Sequence, residues 1–190
     1  CTNWVIRDLS FRFKPTTPGG TDAVASHRTL FYIADGDAKD ILVENVQLNG
    51  AAHGFLYINA AVIGQTNVEN ITLRNCLAGE LTDWAVRVED RVQTANFFHI
   101  ENCNFTVQNS RSANPPEVTV TESAIIINKM EDTDGWWVRD CRLAGGIHGI
   151  WAGEGTGNDH GRYLIEGNNI SDTDETAIYV ESRYTEVNNN

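Results

Sequence analysis

The chain has 190 residues, enough for one domain with a continuous core, and carries 26 acidic against 14 basic residues for a formal net charge of -12. That balance excludes a general nucleic-acid or anionic-membrane binder, because neutralising phosphates requires a basic patch and the sequence has none. No apolar run approaches the ~20 residues of a membrane-spanning helix, and neither an initiating Met nor a signal peptide is present.

Along the chain six stretches superimpose residue for residue: WVIRDLSF from Trp4, ILVENVQL from Ile41, ITLRNCLA from Ile71, FHIENCNF from Phe98, WVRDCRL ending at Leu143, and YLIEGNNI from Tyr163. Their shared anchor position holds Asp8, Asn45, Asn75, Asn102, Asp140 and Gly167, at steps of 37, 30, 27, 38 and 27 residues. Self-similarity at such a period marks a solenoid. A period this variable suits a coil of strands, which tolerates insertions in its outer loops.

Each coil begins with an apolar pair at period 2: Trp4 and Ile6, Ile41 and Val43, Ile71 and Leu73, Phe98 and Ile100, Trp136 and Val138, Tyr163 and Ile165. Both columns are expected to face inward. The next column alternates in sign, Arg7, Glu44, Arg74, Glu101, Arg139 and Glu166. Parallel strands stacked in register at ~4.8 Å would set each of these charges between two opposite ones. The anchor column then supplies residue types that tolerate the left-handed conformation of a sharp corner. A second short strand follows, with inward positions at Leu9, Val46, Cys76, Cys103, Cys141 and Asn168, and again at Phe11, Leu48, Ala78, Phe105, Leu143 and Ile170.

A third strand opens on a small residue followed by an alternating pair: Gly54 with Phe55 and Tyr57, Ala85 with Val86 and Val88, Ala124 with Ile125 and Ile127, Gly149 with Ile150 and Ala152, Ala177 with Ile178 and Val180. Leu30, Phe31 and Tyr32 fill this place in the first coil. Its outward column is accordingly expected to be Phe31, Leu56, Arg87, Ile126, Trp151 and Tyr179.

Three strands per coil, with one tight Asn-type corner and two loose connections, resemble the right-handed parallel β-helix of the pectate-lyase-like superfamily. The resemblance covers residues 1–190 as one all-β domain of about six coils, and the turn asparagines look like that family's asparagine ladder. It implies an extracellular, cell-surface or virion protein that acts on or binds a polysaccharide, as a lyase, a glycoside hydrolase or an epimerase. The same superfamily also includes non-catalytic and receptor-binding stacks, such as trimeric viral tail-spike shafts and surface adhesins. The Asn-Thr-Asp, Asp-Asp and Arg-Ile-Lys signatures of polygalacturonase-type hydrolases are absent, as are the Asp-His and Arg-x-Pro-x-x-Arg elements of pectate lyases. Because solenoid ends need caps, the chain reads as a fragment whose ends are covered by flanking sequence or by partner chains of a homotrimer.

Cys76, Cys103 and Cys141 share one inward column, where parallel side chains do not point at one another, so they read as buried free thiols and not as a disulfide or a metal site. Function is sought where the repeat is broken. Long connections precede the third strand from about Arg12 to Arg28 and from Thr106 to Glu122, and they flank the outer face on which aromatic rings suit the apolar faces of sugars. Phe31, Trp151 and Tyr179 are the expected binding rings.

Asp83 and Glu122 occupy equivalent places in adjacent coils and could form an acid and nucleophile pair about 5 Å apart. Arg87, beside Glu89, could serve as the base of a lyase, and Glu181 lies at the equivalent strand exit. His53 and His148 each precede a Gly three coils apart, as bases or as hydrogen-bonded corners. Glu154, Asp159 and His160, in the loop GEGTGNDHG, could supply an acid or base or bind Ca2+.

Overall fold

The computed structural model describes residues 1–13, 29–34, 36–50, 52–60, 66–89, 92–107, 124–129, 133–153, 161–182 and 184–190. The first coil contains β1 (Thr2–Arg7), β2 (Ser10–Arg12) and β3 (Thr29–Ala34), and the second β4 (Ala38–Glu44), β5 (Gln47–Asn49) and β6 (Gly54–Asn59). The third coil contains β7 (Asn67–Arg74), β8 (Leu77–Leu81) and β9 (Val86–Val88), and the fourth β10 (Thr94–Glu101), β11 (Asn104–Val107) and β12 (Ala124–Asn128). The fifth contains β13 (Trp136–Arg139), β14 (Arg142–Gly145) and β15 (His148–Ala152), and the sixth β16 (Arg162–Glu166), β17 (Asn169–Ser171) and β18 (Thr176–Val180). β19 (Tyr184–Asn188) then returns to the first position.

Equivalent strands of successive coils pair in parallel and in sequence order, giving three sheets that wind as a right-handed parallel β-helix of six coils plus the opening strand of a seventh. That last strand places Glu186 to Asn188 in a seventh coil: Ile165 pairs with Val187, and Asn189 takes the corner conformation.

In the first sheet the register is the one the sequence columns give. Trp4, Ile41, Ile71, Phe98, Trp136 and Tyr163 are aligned, and the last five are buried. Phe98 stacks on Trp136 at 4.4 Å between ring centroids, and full burial of each such ring stabilises the fold by about 1.5–3 kcal/mol. The alternating charges form ion pairs outside the core: Arg74 with Glu44 at 2.8 Å, and Arg139 with Glu101 at 2.6 Å and with Glu166 at 3.8 Å.

Every corner residue from Asp8 to Gly167 adopts positive φ, between 51° and 65°. Side-chain amides there chain upward from coil to coil, Asn45 Nδ2 donating to Asp8 Oδ1, Asn75 Nδ2 to Asn45 Oδ1 and Asn102 Nδ2 to Asn75 Oδ1. A second left-handed column crosses the first sheet at Asn3, Asp40, Asn70, Phe97 and Gly135, which the sequence columns do not announce. Four of those five are residue types suited to the conformation. Phe97, at φ 54°, is not, and a bulky L-residue there carries roughly 1–2 kcal/mol of strain.

Cys76, Cys103 and Cys141 are buried and unbridged. Their thiols donate to the carbonyls of Val43, Leu73 and Ile100, one coil back in each case. Hydrogen bonding with the Cys141 and Cys76 thiols, and then burial, pushes the Cys103 thiol up from its ordinary value. Asn168 closes this column, its amide donating to the Val138 carbonyl and accepting from the Cys141 N–H.

Candidate functional site

The third sheet corrects the expected outward column. Phe31 pairs with Leu56, Leu56 with Val86, Val86 with Ile126 and Ile126 with Ile150, and this set faces the core. The outward column is instead Tyr32, Tyr57, Arg87, Ile127, Trp151 and Tyr179. Three assignments, Phe31, Leu56 and Ile126, are therefore one residue out of place. For Leu56 and its partner Phe31 the cause is local, since Phe55 and Leu56 both donate their N–H to the Ala85 carbonyl and coil two accommodates one extra buried residue. In coil four Ala124 is aligned with His148 and not with Gly149, which turns Ile126 inward. Phe31 packs edge-on against Phe11 and Phe55 and does not line the outer face.

Two groups of side chains sit on this face. In coils two and three, Tyr57 donates its hydroxyl to Glu89 Oε1 at 3.1 Å, Asn59 donates to the same hydroxyl, and Arg87 Nε lies 2.5 Å from Glu89 Oε1. The guanidinium of Arg87 also covers the Trp84 ring at 4.8 Å, and Tyr32 stacks on Tyr57 at 5.4 Å. Burial, then the charge of Glu89 and its hydrogen bond, pushes the Tyr57 phenol up to about 12, so it remains a donor throughout the neutral range. Asp83 lies 3.3 Å from His53 Nε2, and His53 meets the Trp84 ring edge-on at 4.3 Å. Gly54 leaves room for this arrangement, because a Cβ there would lie 2.3 Å from Trp84 Nε1.

In coils five and six the same plan returns. Trp151 Nε1 donates to Glu181 Oε2 at 3.2 Å, and the Tyr179 hydroxyl donates to Glu181 Oε1 at 3.0 Å. His148 stacks on Tyr179 at 5.4 Å, meets Trp151 edge-on at 5.5 Å, and has Glu175 3.9 Å from its Nε2. Lys129 Nζ is 6.0 Å from the Trp151 ring centroid. Glu89 and Glu181 hold equivalent places, since their N–H groups donate to the Ile58 and Ala152 carbonyls, one coil earlier. Between the groups Ile127, although on the outward column, is fully buried.

The structure thus brings Arg87 and Glu89 together with Tyr57, Trp84, Asp83 and His53, and separately brings His148, Trp151 and Tyr179 together with Glu181. Glu122, expected opposite Asp83, and Glu154, Asp159 and His160 lie outside the described residues, as do residues 14–28 and 108–123 of the long connections. Among the described residues no group of three or more His, Cys, Asp or Glu side chains could hold a metal ion.

No protein-family model, curated protein or solved structure matches the chain. Its site is therefore read from geometry alone. Arg87 is committed to a carboxylate and to an indole face, which suits holding charge in place better than removing a proton. The chemistry on offer is ring faces with paired carboxylate acceptors, together with two histidines beside carboxylates that could move protons. Tyr32 and Tyr57, which the sequence columns place inward, and Trp84, which they do not include, belong to this site.

Proposed function

We propose that this protein acts on or binds an extracellular polysaccharide, as a β-helix of the pectate-lyase-like type, with the glycan lying along the outer face of the third sheet. One observation carries the reading. An aromatic donor paired with a strand-exit carboxylate occurs twice at equivalent positions, Tyr57 with Glu89 and Trp151 with Glu181. Each pair offers a ring for the apolar face of a sugar and an acceptor for its hydroxyls. In a lyase or hydrolase cycle, Asp83 and Glu89 in the first group and His148 in the second are the candidates for proton transfer, and Arg87, paired with Glu89 and lying over Trp84, would hold that carboxylate in place.

Affinity electrophoresis in acidic and neutral polysaccharides, followed by assay for unsaturated or new reducing ends, tests this. Retardation is expected, and Tyr57→Ala and Trp151→Ala are each expected to weaken it by about tenfold, ~1.4 kcal/mol. Absence of both retardation and product across the panel would sink the reading.

A second reading, a trimeric tail-spike shaft or adhesin, is favoured by the exposure of Tyr32 and Tyr179 on one face and of Trp4, Val5, Tyr184 and Val187 at the two ends of the stack. Flanking domains or partner subunits would cap those ends. Sedimentation decides: a trimer in which Trp151 and Tyr179 become protected favours the spike.

A further inference from the structure

The outer face of the first sheet carries a second aromatic group, on a different side of the coil from the third sheet. Here β10 presents Phe97, His99 and Glu101, and the adjacent β13, preceded by Gly135, presents Trp137 and Arg139, paired in register at His99 with Trp137 and at Glu101 with Arg139. The imidazole of His99 stacks flat on the Trp137 indole, with centroids 4.3 Å apart and planes 2° from parallel, and the Arg139 guanidinium lies 5.5 Å from the Trp137 centroid. Even so, Trp137 is 37% exposed and Phe97 45%.

Phe97 is the informative residue. It stands in the left-handed column that elsewhere holds Asn3, Asp40, Asn70 and Gly135, at a φ of 54° that a bulky side chain adopts only under strain. The neighbouring coil is shaped around it, since a Cβ on Gly135 would come within 2.9 Å of Phe97 Cδ1. Burial does not explain the ring, because it is among the most exposed apolar side chains of the central coils. An exposed ring kept against local preference, with a glycine clearing its place, points to a role outside the fold.

We propose that Phe97, His99 and Trp137 form a second glycan platform, taking the apolar face of a neutral sugar ring. Charge selects the ligand class. The ionic groups bordering the rings are already paired, Arg139 with Glu101 and Glu166, and Arg162 with Asp134 at 3.1 Å. A charged ligand would have to displace one of these partners. A neutral sugar lays its C–H face on the rings and turns its hydroxyls to Glu101 and Arg139 as they stand. Burial lowers the His99 imidazole from its ordinary value, which favours its neutral form in the stack. The platform is independent of the third-sheet site and does not rest on it.

The test titrates the full chain with cellohexaose, maltohexaose and xylohexaose, read by tryptophan fluorescence and calorimetry. At least one is expected to bind, with affinity falling tenfold or more in Trp137→Ala and about fivefold in Phe97→Asn. Phe97→Asn puts a residue suited to positive φ in the column, so it should melt no lower than the parent while binding more weakly. Binding should persist in the double variant Tyr57→Ala, Trp151→Ala, which separates this platform from the third-sheet site. The proposal is overturned if none of the three binds, if binding survives both first-sheet variants, or if it disappears with the third-sheet double variant instead. It is also overturned if Phe97→Asn melts well below the parent, which would give Phe97 to the fold, or if Trp137→Ala dissociates an oligomer without touching binding, which would make the face a subunit contact.

Discussion

Asn75 occupies the sharp corner at φ 54°, accepts from Asn102 Nδ2 at 2.7 Å and donates to Asn45 Oδ1 at 3.1 Å. Two costs can be separated there. Asn75→Gly keeps the conformation and loses the amide chain, for about 1 kcal/mol, whereas Asn75→Ala adds the left-handed penalty and should cost about 2–3 kcal/mol. Urea denaturation of the two variants reads the difference, and equal midpoints would mean that the amide chain alone matters. His99 gives a second residue-level expectation. Its folded value lies below 6.5, burial being the largest cause, with the Arg139 charge adding to it and Glu101 opposing. A base depressed by folding contributes stability that is full above the unfolded value near 6.5 and is lost as pH falls through the folded value. The fall in Tm from pH 7 to pH 5 should therefore be smaller in His99→Gln than in the parent. An unchanged pH slope would contradict this.

Strands differ in how much of their pairing can be read from sequence, and the difference is physical. In the first sheet each strand alternates an inward apolar residue with an outward one, and a register slip of one would expose the whole apolar set, so the columns were legible. The third sheet contains runs such as FLYI and AIII, in which consecutive apolar residues erase the alternation. In coil two a bulge decides the register, and no sequence column reveals a bulge, so Tyr57 and not Leu56 faces outward; in coil four the small residue Ala124 aligns with His148, so Ile127 and not Ile126 takes the outward column. The outward rings Phe97 and Trp137 are marked in the sequence only by the doublets FF and WW, whose other members, Phe98 and Trp136, carry the inward column.

The charge column was fully legible, and it makes an element-level prediction. Glu101 is aligned with Arg74 on one side and Arg139 on the other. Glu101→Arg lines up three guanidiniums at ~4.8 Å intervals and should cost about 1–2 kcal/mol, against less than ~1 kcal/mol for Glu101→Gln, with the gap between the two narrowing in high salt. A gap that does not respond to salt would show that packing, and not the ladder, is being measured.

Across the whole stack, each coil is stabilised only by the coils above and below it, so stability is a chain of nearest-neighbour terms and not a single shared quantity. Burial is distributed accordingly. Inward residues of coils three to five, such as Leu73, Phe98, Ile100, Phe105 and Leu143, are sealed from solvent, whereas Trp4 in the first coil and Val187 in the seventh are about half exposed. The hydrogen bonds of β1 and β19 run to one neighbour, those of β7, β10 and β13 to two. Opening from an end breaks one interface, while opening a central coil breaks two. Hydrogen exchange followed by mass spectrometry should therefore show protection rising from β1 and β19 to a maximum in β7, β10 and β13, with amide groups in β10 exchanging at least a hundredfold more slowly than those in β19. A glycan bound on the third sheet should raise protection in β6, β9, β15 and β18 before it raises that of the ends, because it adds contacts only to those strands. Uniform protection along the stack would mean that the coils unfold as one cooperative unit, and would remove the nearest-neighbour account.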